Sequence, residues 1–434
     1  TQWQSTQMHM LPRPSQAPIV TAGRPAGEVA QALWQRLLAE PWPLPLQALA
    51  AGTALVGGAV RDGLLGCLEP QPDLDFVVDG DAIALTRQLA RDHGGTVVIL
   101  DVDHNIARLV LGGWNLDLAR RAGPSLEADL LRRDYSINAI ALPLPAGGGE
   151  ASALVDPSGG LSHLQQRQLV ALSEANLLAD PLRLLRGIRL ASSLGFALEP
   201  SSAAWIQSHG AQLTTVAGER VLAELTKLAA AQQGERGLAQ ALAWNLLQGW
   251  GADASANLAG LSLERARQRG LLEGEIEWAL PLARICALLP PQALAGLRSS
   301  NRLQQRCRAL RHWQQQVAQV GCWANLPEPS CLALQRQLEA DFPALVLLLA
   351  EPAPQLLERW RNPADPLFHP RSPLDGRSLQ QQLAIPAGPE LGQLLEHLSL
   401  ERSFGRLAPG PEGEAAALAA AESWWRQRQG GRRD

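Results

Sequence analysis

The spacing of hydrophobic and polar positions changes about one third of the way along the chain. Between Thr53 and Leu118, short apolar runs of strand length alternate with one helical stretch at residues 82–93. From about Leu161 onward, leucine, alanine, glutamine and arginine follow a 3.6-residue period, broken by proline pairs and glycine-rich turns. The pattern predicts a mixed α/β unit followed by a long, all-helical remainder.

A chain of 434 residues is too long for one small core, so we divide it into five segments. Its first residues are polar and lack the apolar stretch of a secretory signal, which indicates a disordered tail. We expect this tail at 1–27, an α/β head at 28–150, and a helical neck, body and tail at 151–245, 246–345 and 346–434.

Composition narrows the class of protein. Hydrophobic residues make up 46% and charged residues 18%, which is typical of a globular protein, and the net charge of −4 leaves any nucleic-acid contact to local basic faces. The five cysteines show no Cys-x-x-Cys spacing, which argues against a disulfide framework or a zinc site and favours the cytoplasm. No apolar run is long enough to span a membrane, so we expect no membrane partner.

Candidate chemistry begins where the first apolar run ends, at Gly57 and Gly58. Arg61 follows, and then Asp73 and Asp75 open the next apolar run. Residues two apart on a strand point to the same face, so these carboxylates converge and would repel each other without a cation. Mg²⁺ prefers such oxygen ligands together with substrate phosphates, and a glycine lets a triphosphate approach backbone amides. The pattern predicts metal-dependent nucleotidyl transfer.

Further motifs follow in order at residues 129–141, 155–160, 180–196 and 218–225. With them the chain resembles the class II tRNA nucleotidyltransferases, which are the bacterial CCA-adding enzymes with their CC-adding, A-adding and poly(A) polymerase relatives. A later stretch, residues 373–392, is similar to the C-terminal region of this family. The resemblance implies a polymerase-beta-like head, an RNA-binding helical tail, Mg²⁺ as cofactor, and the tRNA 3′ end, CTP and ATP as partners.

Roles for several polar residues follow from the motifs and the resemblance. Arg61 is expected to contact phosphate, and Arg133 the ribose or triphosphate. Asp117, two residues after Asn115 on a later predicted strand, is our candidate third carboxylate, able to bind a metal or accept the hydroxyl proton. The alternative of a solvated charge at a strand end stays open.

Base selection is assigned to the segment that begins at Asp180. If residues 180–193 form a helix, Asp180 and Arg183 lie one turn apart on the same face. A carboxylate only accepts hydrogen bonds and a guanidinium only donates them, which suits cytosine or adenine but neither uracil nor guanine. In the resembled family this pair selects CTP and ATP, whereas an isolated pair would be a surface salt bridge. Arg186 and Arg189 continue the ridge and are expected to touch phosphate.

The chain departs from the family pattern at three places. Ala179 stands where the family has glutamate before the base-selecting aspartate, and His163 replaces an aspartate. The stretch between Asp117 and Asp134 is short, whereas CCA-adding relatives carry a longer flexible loop there, associated with the switch from C to A addition. Relatives without that loop often stop at CC.

The sequence therefore predicts template-independent addition of C and/or A to tRNA 3′ ends, with release of pyrophosphate. Full CCA, CC-only and A-only addition stay open, and a partial activity implies a complementary nucleotidyltransferase. A poly(A) polymerase acting on general RNA is the alternative within the same chemistry. A non-catalytic RNA-binding paralogue is a remote alternative, because it would be expected to lose the carboxylates or the Gly-Gly turn.

Overall fold

A computed structural model describes residues 16–20, 26–39, 42–49, 51–145, 153–408 and 410–430. The chain divides into two compact units, Thr1–Ala254 and Ser255–Asp434. The finer division into head, neck, body and tail stays a prediction. No helix in the described ranges is both long and apolar enough to cross a membrane.

Part of the predicted disordered tail is ordered. Residues 1–15 and 21–25 of that segment lie outside the described ranges, but Ile19 is buried. The backbone N–H groups of Gln16 and Ile19 donate hydrogen bonds to the carbonyl oxygens of Gly66 and Leu64, at 3.2 and 2.8 Å. Disorder is therefore wrong for residues 16–20, because one isoleucine finds an apolar site and its neighbours pair their backbone groups.

Six strands of the first unit form one mixed sheet in the order β3-β4-β5-β2-β1-β6. Neighbouring strands pair antiparallel except β2 and β5, which pair parallel. The strands are β1 Ala54–Val56, β2 Leu74–Val78, β3 Thr96–Asp101, β4 Ile106–Leu111, β5 Trp114–Arg120 and β6 Ala141–Pro143.

Helices surround this sheet and continue beyond it in the first unit. They are α1 Ala26–Leu38, α2 Gly58–Leu65, α3 Ala82–His93, α4 Leu126–Leu130, α5 Gly160–Gln166, α6 Glu174–Ala179, α7 Leu182–Leu194, α8 Pro200–His209, α9 Gly218–Ala230 and α10 Gly234–Ala243. The remainder is not entirely helical as predicted, because β7 (Gln168–Leu169) pairs parallel with β8 (Ala197–Leu198).

The two faces of the sheet differ in chemistry. Alternate residues such as Leu109, Leu116 and Phe76 are fully buried on the face that packs against α3. Their neighbours on the opposite face include Asp75 and Asp117. The alternation of the strands thus separates an apolar core from a polar face that carries the candidate chemistry.

The described part of the second unit contains helices and no strand. Its helices are α11 Leu263–Gln268, α12 Glu273–Leu288, α13 Pro291–Gly296, α14 Asn301–Val320, α15 Glu328–Leu338, α16 Phe342–Leu348, α17 Pro354–Arg361, α18 Gly376–Leu383, α19 Pro389–Ser403 and α20 Pro411–Gly430. A hydrophobic cluster around Leu379, Leu394 and Leu398 packs the three helices α18, α19 and α20 together. The helical period of the sequence is confirmed here.

Candidate active site

The turn from β1 into α2 shapes one side of the site. Gly57 has a φ of 74°, a conformation that favours glycine, and a Cβ there would lie 2.8 Å from Oδ2 of Asp75. Gly58 begins α2, where nothing lies closer than 3.8 Å to the position of a Cβ. The first-turn amides of a helix have no partner within it. Gly57 therefore makes room for the carboxylate, and Gly58 keeps the helix start open.

Two predicted carboxylates face each other across the parallel pair of strands. Asp75 on β2 is the register partner of Asp117 on β5, so both side chains point to the same face. Asp73 lies just before β2, is exposed, and accepts a hydrogen bond from Nδ2 of Asn115 at 2.9 Å. The structure therefore brings Asp73, Asp75 and Asp117 to one end of the polar face.

Asp75 is held in conditions that oppose its ionisation. Burial and the neighbouring Asp117 and Asp73 carboxylates together raise the pKa of Asp75 to about 6, against the lowering effect of Arg133 and Arg186. A buried carboxyl beside like charges gains most from a nearby cation. This environment is typical of a site where positive charge arrives with the substrate.

Asp117 is neither free nor a solvated strand end. Nε and Nη2 of Arg108 donate to its Oδ1 and Oδ2 at 2.7 and 2.8 Å, and this hydrogen bonding raises the pKa of Arg108. Sequence reasoning missed Arg108, although a signal existed. A two-residue turn at Gly112 and Gly113 joins β4 to β5, and counting back from it places residue 108 opposite residue 117.

The donor set fits Mg²⁺ through two carboxylates. Within the described ranges, no group of three or more His, Cys, Asp or Glu side chains is arranged to hold a metal. Mg²⁺ needs only one or two carboxylates when substrate phosphates and water complete its shell. Asp73 and Asp75 meet that requirement, whereas both oxygens of Asp117 already bind Arg108.

The predicted arginines all have partners. Arg61 donates to both oxygens of Asp62 and, through Nη1, to Oδ1 of Asn138 at 2.7 Å. Arg133 pairs with Asp129 at 3.2 Å. These bonds hold two guanidinium groups in place without using all of their donors.

Two arginines of α7 lie in the same region. Arg186 pairs with the buried Asp134 at 3.0 Å, and Arg189 pairs with Glu224 at 2.6 Å. Burial lowers the pKa of Arg189, and the proximity of Arg186 and Arg61 lowers it further against the effect of Glu224. Arg61, Arg186 and Arg189 therefore lie close together, and we call them the cationic cluster. Their guanidinium groups suit a triphosphate.

Asp180 and Arg183, the pair predicted to select the base, do not lie on one helix. Asp180 follows the end of α6 with an extended backbone, and α7 begins only at Leu182. Its Oδ2 accepts from Nη2 of Arg220 on α9 at 2.7 Å, while Nη1 of Arg183 donates to the carbonyl oxygens of Arg132 and Asn176. The expected helix start at residue 180 is wrong, and each of the two side chains has its own partner in the protein.

Hydrogen bonds and an ion pair hold the start of the short loop after β5 in place. The backbone N–H of Arg121 donates to the carbonyl oxygen of Val78 at 2.9 Å, and its side chain pairs with Asp79. The N–H of Ala122 donates to Oδ1 of Asp129 at 2.8 Å. Residues 121–125 thus connect β5 to α4 as a fixed loop.

Comparison with known proteins shows which family this chain is similar to. Residues 53–123 match the poly A polymerase head domain, and residues 195–250 match a probable RNA and SrmB-binding site of polymerase A. The CC-adding tRNA nucleotidyltransferase of Synechocystis sp. is 32% identical over 404 residues, which cover 87% of this chain and 95% of that protein. The chain belongs to the tRNA nucleotidyltransferase family.

Other members of the tRNA nucleotidyltransferase family match less of the chain or show the fold. The A-adding enzyme of Deinococcus radiodurans is 39% identical over 208 residues, or 47% of this chain and 46% of its own length. The solved Thermotoga maritima CCA-adding enzyme complexed with tRNA has a TM-score of 0.64 at 19% identity and covers 93% of this chain and 97% of its own. The predicted family, enzyme class and fold class are confirmed, and nucleotidyltransferases of this kind generally use divalent metal ions.

Proposed function

We propose that this tRNA nucleotidyltransferase adds the two cytidines of the CCA end to tRNA from CTP and does not add the final adenosine. The observation that carries this proposal is the fixed loop at residues 121–125, which leaves no long flexible segment between β5 and α4. The relative from Synechocystis sp., which this chain covers almost completely, is a CC-adding enzyme. A CC-adding enzyme requires a second nucleotidyltransferase to complete the tRNA.

We infer that Mg²⁺ binds to Asp73 and Asp75. Bound there, it would neutralise charge on the triphosphate and lower the pKa of the RNA 3′-hydroxyl. Each carboxylate oxygen of Asp117 accepts one hydrogen bond from Arg108 and keeps a second lone pair, with which Asp117 can accept the hydroxyl proton. The 3′ oxygen of the terminal tRNA nucleotide then attacks the α-phosphorus of CTP, the bond to the β-phosphate breaks, and pyrophosphate leaves.

The cationic cluster of Arg61, Arg186 and Arg189 binds the triphosphate in this proposal, next to the backbone of Gly57 and Gly58. Each guanidinium keeps donors beyond those in its ion pair, so an incoming phosphate adds contacts without breaking them all. Arg133 lies close enough to Asp75 to lower the pKa of that carboxyl, which supports its role at the ribose or triphosphate.

Base selection by Asp180 and Arg183 requires both side chains to turn from their present partners. Asp180 must share or leave Arg220, and Arg183 must leave two backbone carbonyl oxygens. The Asp180–Arg220 ion pair is partly exposed, and pairs of that kind contribute little stability, so Asp180 gives up this partner at little cost. We place the reaction in the cytoplasm, since all five cysteines are free thiols.

The test incubates the purified protein and Mg²⁺ with tRNA transcripts that end at the discriminator nucleotide, at C or at CC. CTP and ATP are supplied singly and together, and products are resolved to one nucleotide. We expect CTP to extend the first two transcripts to CC and ATP to leave the CC-ended transcript unchanged.

Asp73→Asn is the matched control, because it removes one metal-binding carboxylate from an exposed position. It should abolish incorporation without changing the melting temperature. Addition of A to the CC-ended transcript would overturn CC specificity, and long A tails on unrelated RNA would favour a poly(A) polymerase.

A further inference from the structure

The polar face of the sheet continues past the carboxylates into an exposed apolar surface. Val98 on β3 is the register partner of Arg108, Arg108 is the partner of Asp117, and Asp117 is the partner of Asp75. These four residues form one row across four strands, with all side chains on the same face. The row runs from the proposed metal site to an aliphatic side chain at the edge of the sheet.

Two more aliphatic side chains lie on that face. Leu100 lies at a bulge in the pairing of β3 with β4 and is the next exposed position of β3 after Val98, and Val110 on β4 is the register partner of Asn115. Val98, Leu100 and Val110 are 43%, 46% and 36% exposed. We call these three residues the β3–β4 patch. Aliphatic side chains grouped on one exposed face form the kind of surface that binds a partner, whereas single exposed apolar residues do not.

The polar face is closed on the other side of Asp75. Val56 on β1 and Ala141 on β6 are buried there under a cluster that includes Leu130 and, partly exposed, Leu172. An RNA strand that brings its 3′-hydroxyl to the carboxylates therefore finds these strands covered. The described residues leave the approach over β4 and β3 open.

We propose that the β3–β4 patch holds the last nucleotides of the RNA strand that is being extended, with its aliphatic side chains against the faces of the bases. Strand spacing puts Val98 about 14 Å from Asp75, a distance that a few nucleotides span. Arg108 lies between them with its side chain 34% exposed and supplies positive charge beside the RNA backbone. The proposal rests on the proposed function, because it presumes an RNA substrate.

The first test combines Val98→Thr and Leu100→Thr in the full chain. Threonine is β-branched, like valine, and suits a strand at both positions, but it replaces apolar surface with a hydroxyl. We expect the KM for tRNA to rise about tenfold, because apolar area buried on binding is lost, while the KM for CTP and the melting temperature stay unchanged.

Val102→Thr is the matched control. Val102 is 73% exposed but lies in the turn after β3, off the row that leads to the carboxylates, so its KM for tRNA should equal that of the wild type. An unchanged KM for tRNA in the double variant would overturn the proposal. A double variant that loses self-association seen in the wild type, with unchanged KM, would also overturn it by assigning the patch to a second copy.

A second test uses the wild-type protein and does not depend on how a variant folds. A tRNA ending in C carries 4-thiouridine in place of the discriminator nucleotide and is crosslinked by light. We expect the crosslinked peptide to contain residues of the β3–β4 patch, and crosslinks found only elsewhere would overturn the proposal. Incorporation of CTP by the same wild-type sample separates failure of this proposal from failure of the proposed function.

Discussion

At the scale of single residues, the environment of Asp75 lowers the stability of the folded protein at neutral pH when no cation is bound. Its pKa in the folded protein is about 6, above the ordinary value of 3.8, so the folded state binds a proton more tightly than the unfolded chain. Stability from this group is fully present below the ordinary pKa and is lost as the pH rises through about 6. Above that pH the ionised carboxylate destabilises the metal-free protein.

Asp75→Asn should therefore stabilise the metal-free protein at pH 8 while abolishing nucleotide addition. The gain in free energy of unfolding is on the order of 3 kcal/mol, since the pKa of Asp75 is raised from 3.8 to about 6 and a pKa unit corresponds to about 1.4 kcal/mol. Thermal melting of both proteins between pH 4 and pH 8 measures it. The difference should shrink as the pH falls toward 4, and a variant less stable than the wild type at pH 8 would contradict the assigned environment.

The sequence predicted the site residues that lie close together along the chain, but it did not predict the ion pairs between distant residues. Asp73, Asp75 and Gly57 follow from the strand period and the end of an apolar run, and the structure brings them together. Arg220 is 40 positions from Asp180 and lies on another helix, so no period of either segment connects them. Such a contact depends on how helices pack, which a single sequence leaves open.

At the scale of elements, the hairpin of β4 and β5 sets the register of the site. Its turn residues Gly112 and Gly113 have φ values of 57° and 87°, as expected of a two-residue turn that matches the strand twist. This turn fixes Arg108 opposite Asp117. Both glycines can be read from the sequence, so the register that they impose on β4 and β5 could have been predicted.

Gly112→Val should destabilise this hairpin by about 1–2 kcal/mol, because a β-branched residue is strained at positive φ even though no atom lies within 4 Å of its Cβ. We expect a lower melting temperature and a lower kcat, measured on the CC-addition substrate. Gly112→Asn is the control, since asparagine accepts this conformation and should keep both quantities near the wild-type values. Equal effects of the two substitutions would show that the turn conformation does not matter.

At the scale of the whole molecule, the change from strand to helical period correctly predicted an α/β unit and a helical remainder. The sequence did not indicate the boundary between the two compact units. The helices α5 to α10 belong to the unit that contains the sheet, so the division follows packing and not the change of secondary structure. Helix period reports which face of a helix is buried but not which neighbour buries it.

Every predicted site residue lies in the unit Thr1–Ala254, together with the partners Arg108, Asp129, Asp134, Arg220 and Glu224. We therefore expect residues 1–254, produced alone, to fold and to bind CTP with Mg²⁺ within about threefold of the affinity of the full chain, a difference below 1 kcal/mol. Isothermal titration of CTP into both proteins measures this.

The same fragment with Asp73→Asn and Asp75→Asn is the control, and it should lose the Mg²⁺ dependence of binding. Reduced use of tRNA by the fragment is compatible with the prediction, because the helical second unit is absent. A fragment that melts cooperatively but binds CTP tenfold more weakly would show that Ser255–Asp434 contributes to the nucleotide site. Full affinity would instead confine CTP recognition to the first unit, which contains the carboxylates, the cationic cluster and the Asp180–Arg220 ion pair.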